Sequence, residues 1–124
     1  MRDTPRHAGT PSTEPLMHEV QRAGNATVYR CKGAFSLANH AKLGELAEEI
    51  RRGDTARVVL DLREAGYMDS VGVGTIAVIL KDVKARGRAL TLVPTAEIRT
   101  LLSASKLEGI LTLADSPEAA LGSP

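Results

Sequence analysis

The chain has no tryptophan, and Tyr29, Phe35 and Tyr67 are its aromatic residues. So few rings give nucleobases no platform to stack on. Excess charge is missing as well: 16 Lys and Arg against 15 Asp and Glu leave a formal charge of +1. With no basic run to replace it, nothing favours a nucleic-acid partner. Long apolar runs are absent; the longest, Ile76 to Leu80, falls far short of the ~20 residues of a membrane span, so no membrane partner is expected. Cysteine is reduced to Cys31, which excludes an intrachain disulfide or a cysteine-cluster metal site and fits a reducing cytoplasm. The opening stretch MRDTPRHAGTPSTEP holds no apolar h-region, so export by a standard signal is not expected.

What is present is an ordinary globular composition, 43% hydrophobic and 25% charged over 124 residues, enough for one domain with one core. Residues 1–15, rich in Pro and Thr, are expected to be a solvated tail, and 117–124 a fraying end. Met17 to Ala23 and Ala26 to Lys32 flank Gly24-Asn25, the signature of a β-hairpin. Ser36 can cap a helix with the stripe Leu37, Ala41, Leu43, Leu46, Ala47 and Ile50, ended by Arg51-Arg52-Gly53. Arg57 to Leu62 is a β-branched run expected to be a strand covered on both faces. Strand character fades over Arg63 to Gly66. A second helix carries Val73, Ile76, Ala77, Leu80 and Val83 and closes at Arg86-Gly87. A strand over Ala89 to Val93, a helix opened by Pro94 or Thr95, a strand over Ile110 to Leu113 and a short helix capped at Ser116 complete the order ββαβαβαβα. That order predicts an α/β domain with a mixed, mostly parallel sheet. The cations Lys81, Lys84, Arg86 and Arg88 are expected at a solvated helix end.

In such sheets sites form where strands run into helices, and the most loaded junction is Asp69-Ser70-Val71-Gly72-Val73-Gly74-Thr75. Its simplest reading is structural, with Ser70 as the N-cap and Asp69 interacting with the helix dipole. A second is a nucleotide site, because Gly72 to Ala77 fits G-x-G-x-x-A and Glu97 follows about 20 residues on. Asp69 beside the supposed phosphates and the shortness of the chain count against it, and titration with NAD or GTP is expected to be flat. A serine hydrolase is excluded: the first Gly of G-x-S-x-G is missing, and His7, His18 and His40 all precede Ser70. Asp61 reads as an acceptor that orders a loop, and Cys31 as a core filler.

The strand Arg57 to Leu62, followed by Tyr67-Met68-Asp69-Ser70-Val71-Gly72-Val73-Gly74, resembles the STAS domain of bacterial anti-sigma-factor antagonists. The similarity continues through Gly87 to Val93 and Leu107-Glu108-Gly109-Ile110, and implies a STAS-like domain over residues 16–122. It also implies a partner-switching protein without catalysis or cofactor. The family's phospho-acceptor falls on Ser70. The unmodified protein would bind an anti-sigma factor that is itself a serine kinase, phosphorylation would release it, and a PP2C-type phosphatase would reset the cycle. Asp69, Ser70, Val71, Gly72, Val73, Gly74 and Ser36 are the implied partner-binding residues. The alternative within the family is a STAS subunit never phosphorylated and held in a larger assembly, a lipid-transport ATPase or a stress-signalling complex. Two positions depart from the family pattern: Ser36 stands where an Asp is common, and Val71 replaces a second Ser or Thr.

Overall fold

A turn at Gly24-Asn25 folds β1 (Met17–Ala23) back on β2 (Ala26–Phe35), with Ala23 opposite Ala26 and Met17 opposite Lys32. A computed structural model of the chain describes residues 11–122. After the hairpin come α1 (His40–Arg52), β3 (Arg57–Met68), α2 (Ser70–Ala85), β4 (Ala89–Val93), α3 (Ala96–Ala104), β5 (Thr112–Leu113) and α4 (Pro117–Gly122). The strands lie in the sheet in chain order, β1-β2-β3-β4-β5. All pairs after the hairpin are parallel, so each needs a helical crossover, which the alternating periodicity supplies. The α/β order expected from the sequence is the order found.

Alternation along the central strands splits the apolar side chains between two faces. Tyr29, Cys31, Val58, Leu60, Leu62, Leu90 and Leu92 pack in one cluster with Leu43, Leu46 and Ile50 of α1, Ile76, Ile79, Leu80 and Val83 of α2, and Ile98 and Leu102 of α3. Val28, Val59 and Val93 meet Ala120 of α4 in a second, smaller cluster. The run Val58-Val59-Leu60 is thus covered on both faces, as its unbroken apolar character predicts.

Several local expectations need correction. β3 does not stop at Leu62 but continues to Met68, because β2 accompanies it throughout. The pairing slips from Arg30↔Asp61 to Lys32↔Glu64 to Ala34↔Tyr67, so β3 accommodates extra residues as bulges. Asp61 therefore orders a bulge and not a loop: its carboxylate accepts from the Arg63 backbone N–H at 3.1 Å and from Arg63 Nε and Nη2 at 3.0 and 2.9 Å. Leu37–Asn39 form a 3-10 turn and α1 begins only at His40. That tighter turn shifts the helical phase, leaving Leu37 65% exposed and Ala41 exposed. β5 is reduced to Thr112–Leu113, with Ile110 exposed in a preceding 3-10 turn. Ile79, outside the expected stripe of α2, is buried.

Lys81, Lys84 and Arg86 are exposed as expected, but Arg88 is buried. Its Nε donates to the Thr55 carbonyl at 2.6 Å and its Nη1 to the Ile50 carbonyl at 2.8 Å. Arg86 donates to the Arg51 carbonyl. The orphan carbonyls ending α1 are thus met by cations from beyond α2.

Residues 1–10 and 123–124 of the expected tails lie outside the described residues. Residues 11–15, expected with the tail, lie on the domain. The Glu14 carbonyl accepts from Ala34 N–H at 3.1 Å and from Asn39 Nδ2 at 2.8 Å, and Leu16 is buried. Gly33, at φ +109, makes room: a Cβ there would stand 2.1 Å from the Pro15 carbonyl oxygen.

Burial, helped by the charge of Asp61, pushes the Cys31 thiol up to about 12, and burial also raises Tyr29. An acid whose folded pKa is raised stabilises the fold below its unfolded pKa and loses that contribution as pH rises. Stability should therefore fall from about pH 9 towards 12, at about 1.4 kcal/mol per pH unit for the thiol. Urea midpoints measured across this range should decline less steeply for Cys31→Ala, with the Tyr29 share remaining. Equal slopes would refute the assignment.

Candidate functional site

β3 delivers the chain to Asp69, whose backbone is extended (φ −118, ψ −170) and whose N–H donates to the Phe35 carbonyl at 3.1 Å. Asp69 is the N-cap of α2, in place of the Ser70 suggested by the simplest sequence reading. Both residue types cap well, so the choice depends on where β3 ends. Asp69 Oδ1 accepts from the backbone N–H of Val71 at 2.9 Å and Gly72 at 3.2 Å. The other oxygen, Oδ2, accepts from the Leu37 N–H at 3.0 Å. One carboxylate thus caps α2 and the 3-10 turn ahead of α1, holding two helical starts side by side.

With capping assigned to Asp69, Ser70 becomes the first residue of α2, exposed, with no partner for its hydroxyl among the described residues. Thr75, the other hydroxyl in the segment, donates to the Val71 carbonyl at 2.9 Å. The N–H groups of Val71, Gly72 and Val73 are taken by Asp69, and what favours negative charge near Ser70 is the dipole of the helix start.

Gly72 sets how closely this start lies against the sheet. A Cβ on it would stand 2.3 Å from the Phe35 carbonyl oxygen and 2.7 Å from the Phe35 Cβ. Gly72 is therefore buried support and not contact surface, whereas Gly74 is exposed with open space beside it. Val71 and Val73 are half-buried, Val71 against the main core. Ser36 lies next to this junction but is only 1% exposed, its hydroxyl donating to the Ser12 carbonyl at 2.6 Å. Its side chain is thus not open to a partner. It also caps nothing, contrary to expectation, since Asp69 takes the Leu37 N–H. Asp61 stands apart, eight positions back along β3 and on the face of Val59. Leu37 is, with Ala41, an exposed residue that periodicity misplaced; a 3-10 turn after a strand leaves no signal in the spacing.

The glycine fingerprint has no free cradle. Two of the N–H groups that a phosphate would use, on Val71 and Gly72, are occupied by Asp69, and Gly72 is packed against β2. Among the described residues no group of three or more His, Cys, Asp or Glu could hold a metal ion, and no helix is long and apolar enough to cross a membrane.

Asp69→Asn tests the double cap. Asparagine keeps one acceptor, so either the Leu37 or the Val71 and Gly72 N–H groups face an amide NH2. Denaturant titration should show a loss of about 1–2 kcal/mol, with faster amide exchange at Leu37. Unchanged stability and exchange would show that Asp69 does not join the two starts.

The sequence model of the STAS domain family matches residues 17–120. This chain is a STAS domain. Solved structures share its fold. An anti-sigma factor antagonist from Mycobacterium paratuberculosis aligns at TM-score 0.73 and 16% identity, over 86% of this chain and 91% of that one. The anti-sigma factor antagonist SpoIIAA in its unphosphorylated form aligns at TM-score 0.62 and 16% identity, over 82% and 91%. The Bacillus cell fate determinant SpoIIAA in its phosphorylated form aligns at TM-score 0.62 and 19% identity, over 83% and 96%. At such identities the likeness is one of fold.

Proposed function

We propose that this STAS domain is a phosphorylation-switched binding protein of the anti-sigma-factor-antagonist type, acting in the cytoplasm by binding and without catalysis or cofactor. Unmodified, it holds an anti-sigma factor that is also a serine kinase; phosphorylation of Ser70 releases that partner, and a PP2C-type phosphatase restores binding. The observation that carries the reading is the division of labour at the start of α2. Asp69 does the capping, so the exposed Ser70 hydroxyl can change its charge without disturbing a structural bond.

The electrostatics support a switch in affinity over a switch in folding. A phosphate adds about −1.5 to −2 charges, which the helix start tolerates but a dry interface does not. The half-buried Val71 and Val73 and the exposed Gly74 and Leu37 offer apolar surface around the serine. The SpoIIAA neighbour, solved in unphosphorylated and phosphorylated forms, is a fold relative in which such a change is accommodated.

The test is phosphosite mapping by mass spectrometry after incubation with Mg-ATP and an extract of the host, beside a Ser70→Ala control. One phosphate on Ser70, lost in the control, is the expected result. A chain left unmodified there would overturn the switch and leave a constitutive STAS subunit.

A further inference from the structure

β4 pairs with β3 only from Arg57 to Asp61, whereas β2 accompanies β3 through Met68. Among the described residues, 62–68 therefore has a strand neighbour on one side and none on the other. Backbone N–H and C=O groups must find partners, and an open strand edge is a template for another extended chain. Along this edge lies a groove of about 390 Å³, bounded by Glu64, Tyr67 and Met68 of β3 and by Glu97, Ile98 and Leu101 of α3. β2 covers the same stretch in five steps, from Arg30 opposite Asp61 to Phe35 opposite Met68, so at about 3.3 Å per residue the free edge is roughly 17 Å long, enough for a strand of about five residues.

The side chains narrow the occupant. Arg63, at the mouth of the groove, is held by Asp61 through Nε and Nη2 at 3.0 and 2.9 Å. Asp61 is shared with Arg30 at 3.6 Å and Glu64 acts on Arg63 from nearby, but two carboxylates, Glu64 and Glu97, line the groove against the one guanidinium of Arg63, so its net charge is negative. Tyr67 is 37% exposed, and Met68 and Leu101 are half-buried, which adds apolar surface. A second copy of this chain is a poor occupant, because two such edges would oppose carboxylate to carboxylate.

We propose that this groove binds an extended segment of the partner protein, with Lys or Arg among apolar residues, which adds to the free edge of β3 as a strand. Main-chain bonds would supply affinity, and Glu64 and Glu97 would select the sequence. The inference rests on the partner-binding reading above: β3 runs directly into Asp69 and Ser70, so a strand bound at Leu62–Met68 would lie beside the switch.

The experiment is an NMR titration of the 15N-labelled full chain with the capped peptide Val-Lys-Val-Thr-Val-Arg-Val. Shift changes should concentrate in residues 62–68 and 95–101, with slowed amide exchange on the β3 edge. N-methylation of alternate peptide bonds should weaken binding at least about tenfold, a loss of ~1.4 kcal/mol. The double variant Glu64→Lys/Glu97→Lys should bind the peptide less tightly and prefer one with Glu in place of Lys and Arg. No shifts at 62–68 with about 1 mM peptide, or equal binding of the N-methylated peptide, would overturn the proposal. The titration uses no kinase and no phosphate. Peptide binding without Ser70 phosphorylation would keep the groove and remove the switch; phosphorylation without peptide binding would do the reverse.

Discussion

Gly72→Ala should be the most damaging single-methyl change in α2. The added Cβ would meet the Phe35 carbonyl oxygen at 2.3 Å, the Phe35 Cβ at 2.7 Å and the Met68 Cγ at 2.9 Å. Two of these atoms belong to a fully buried residue at the end of β2, so the start of α2 must lift from the sheet. Moving it strains the Asp69 bonds to Val71, Gly72 and Leu37 together. Overpacking of this kind costs about 3 kcal/mol or more, a drop in Tm of about 10 °C for a domain of this size. Gly74→Ala is the internal control. It lies two positions on in the same helix with nothing within 4 Å of its Cβ, and should gain up to ~1 kcal/mol from helix propensity. Thermal and urea unfolding of the pair decide the matter: a Gly72→Ala protein within ~0.5 kcal/mol of the parent would mean that α2 does not rest on β2 as described.

Ser70→Glu should separate binding from stability. At the first position of α2 a carboxylate is welcomed by the helix dipole, so unfolding should be unchanged or shifted upward by up to ~1 kcal/mol. Affinity for the partner kinase, on the proposed function, should fall by about 2–5 kcal/mol, or roughly 30- to 5,000-fold, as a charge is buried without a counter-ion. Ser70→Gln, similar in bulk but neutral, should lose much less. Calorimetric titration of the three proteins against the kinase makes the comparison. Equal losses for Glu and Gln would show that bulk at this position, and not charge, governs release.

Much of the fold was legible because it is written in periodicities. The hairpin follows from alternation around Gly24-Asn25, and the helices from 3.6-residue spacing. The parallel sheet follows from their alternation with short apolar runs. The junction at Asp69 and Ser70 was visible as a loaded loop, but which residue caps was not, since aspartate and serine do the same work one position apart. What escaped depends on contacts distant in sequence. Arg88 resembles any cation after a helix until the carbonyls of Ile50 and Thr55 are brought to it. Residues 11–15 carry no apolar signal and are held largely through main-chain and amide bonds from Ala34 and Asn39, which composition does not register. The tail of β3 contains Arg63, Glu64 and Gly66, poor strand formers, and persists because β2 pairs with it through its bulges.

Because spatial order in the sheet repeats order along the chain, the domain suits synthesis from its N-terminus. Each strand leaving the ribosome after β1 finds its hydrogen-bonding neighbour already made, and no earlier strand has to wait for a later one to be inserted beside it. A nascent chain that has reached Val93 holds β1 to β4 along with α1 and α2, most of the main core. Of the described elements, α3, the two residues of β5, and α4, which seals the second face at Ala120, follow. Ribosome pausing before α4 emerges would therefore hold a nearly complete sheet with Val28, Val59 and Val93 uncovered, the surface on which a chaperone would act.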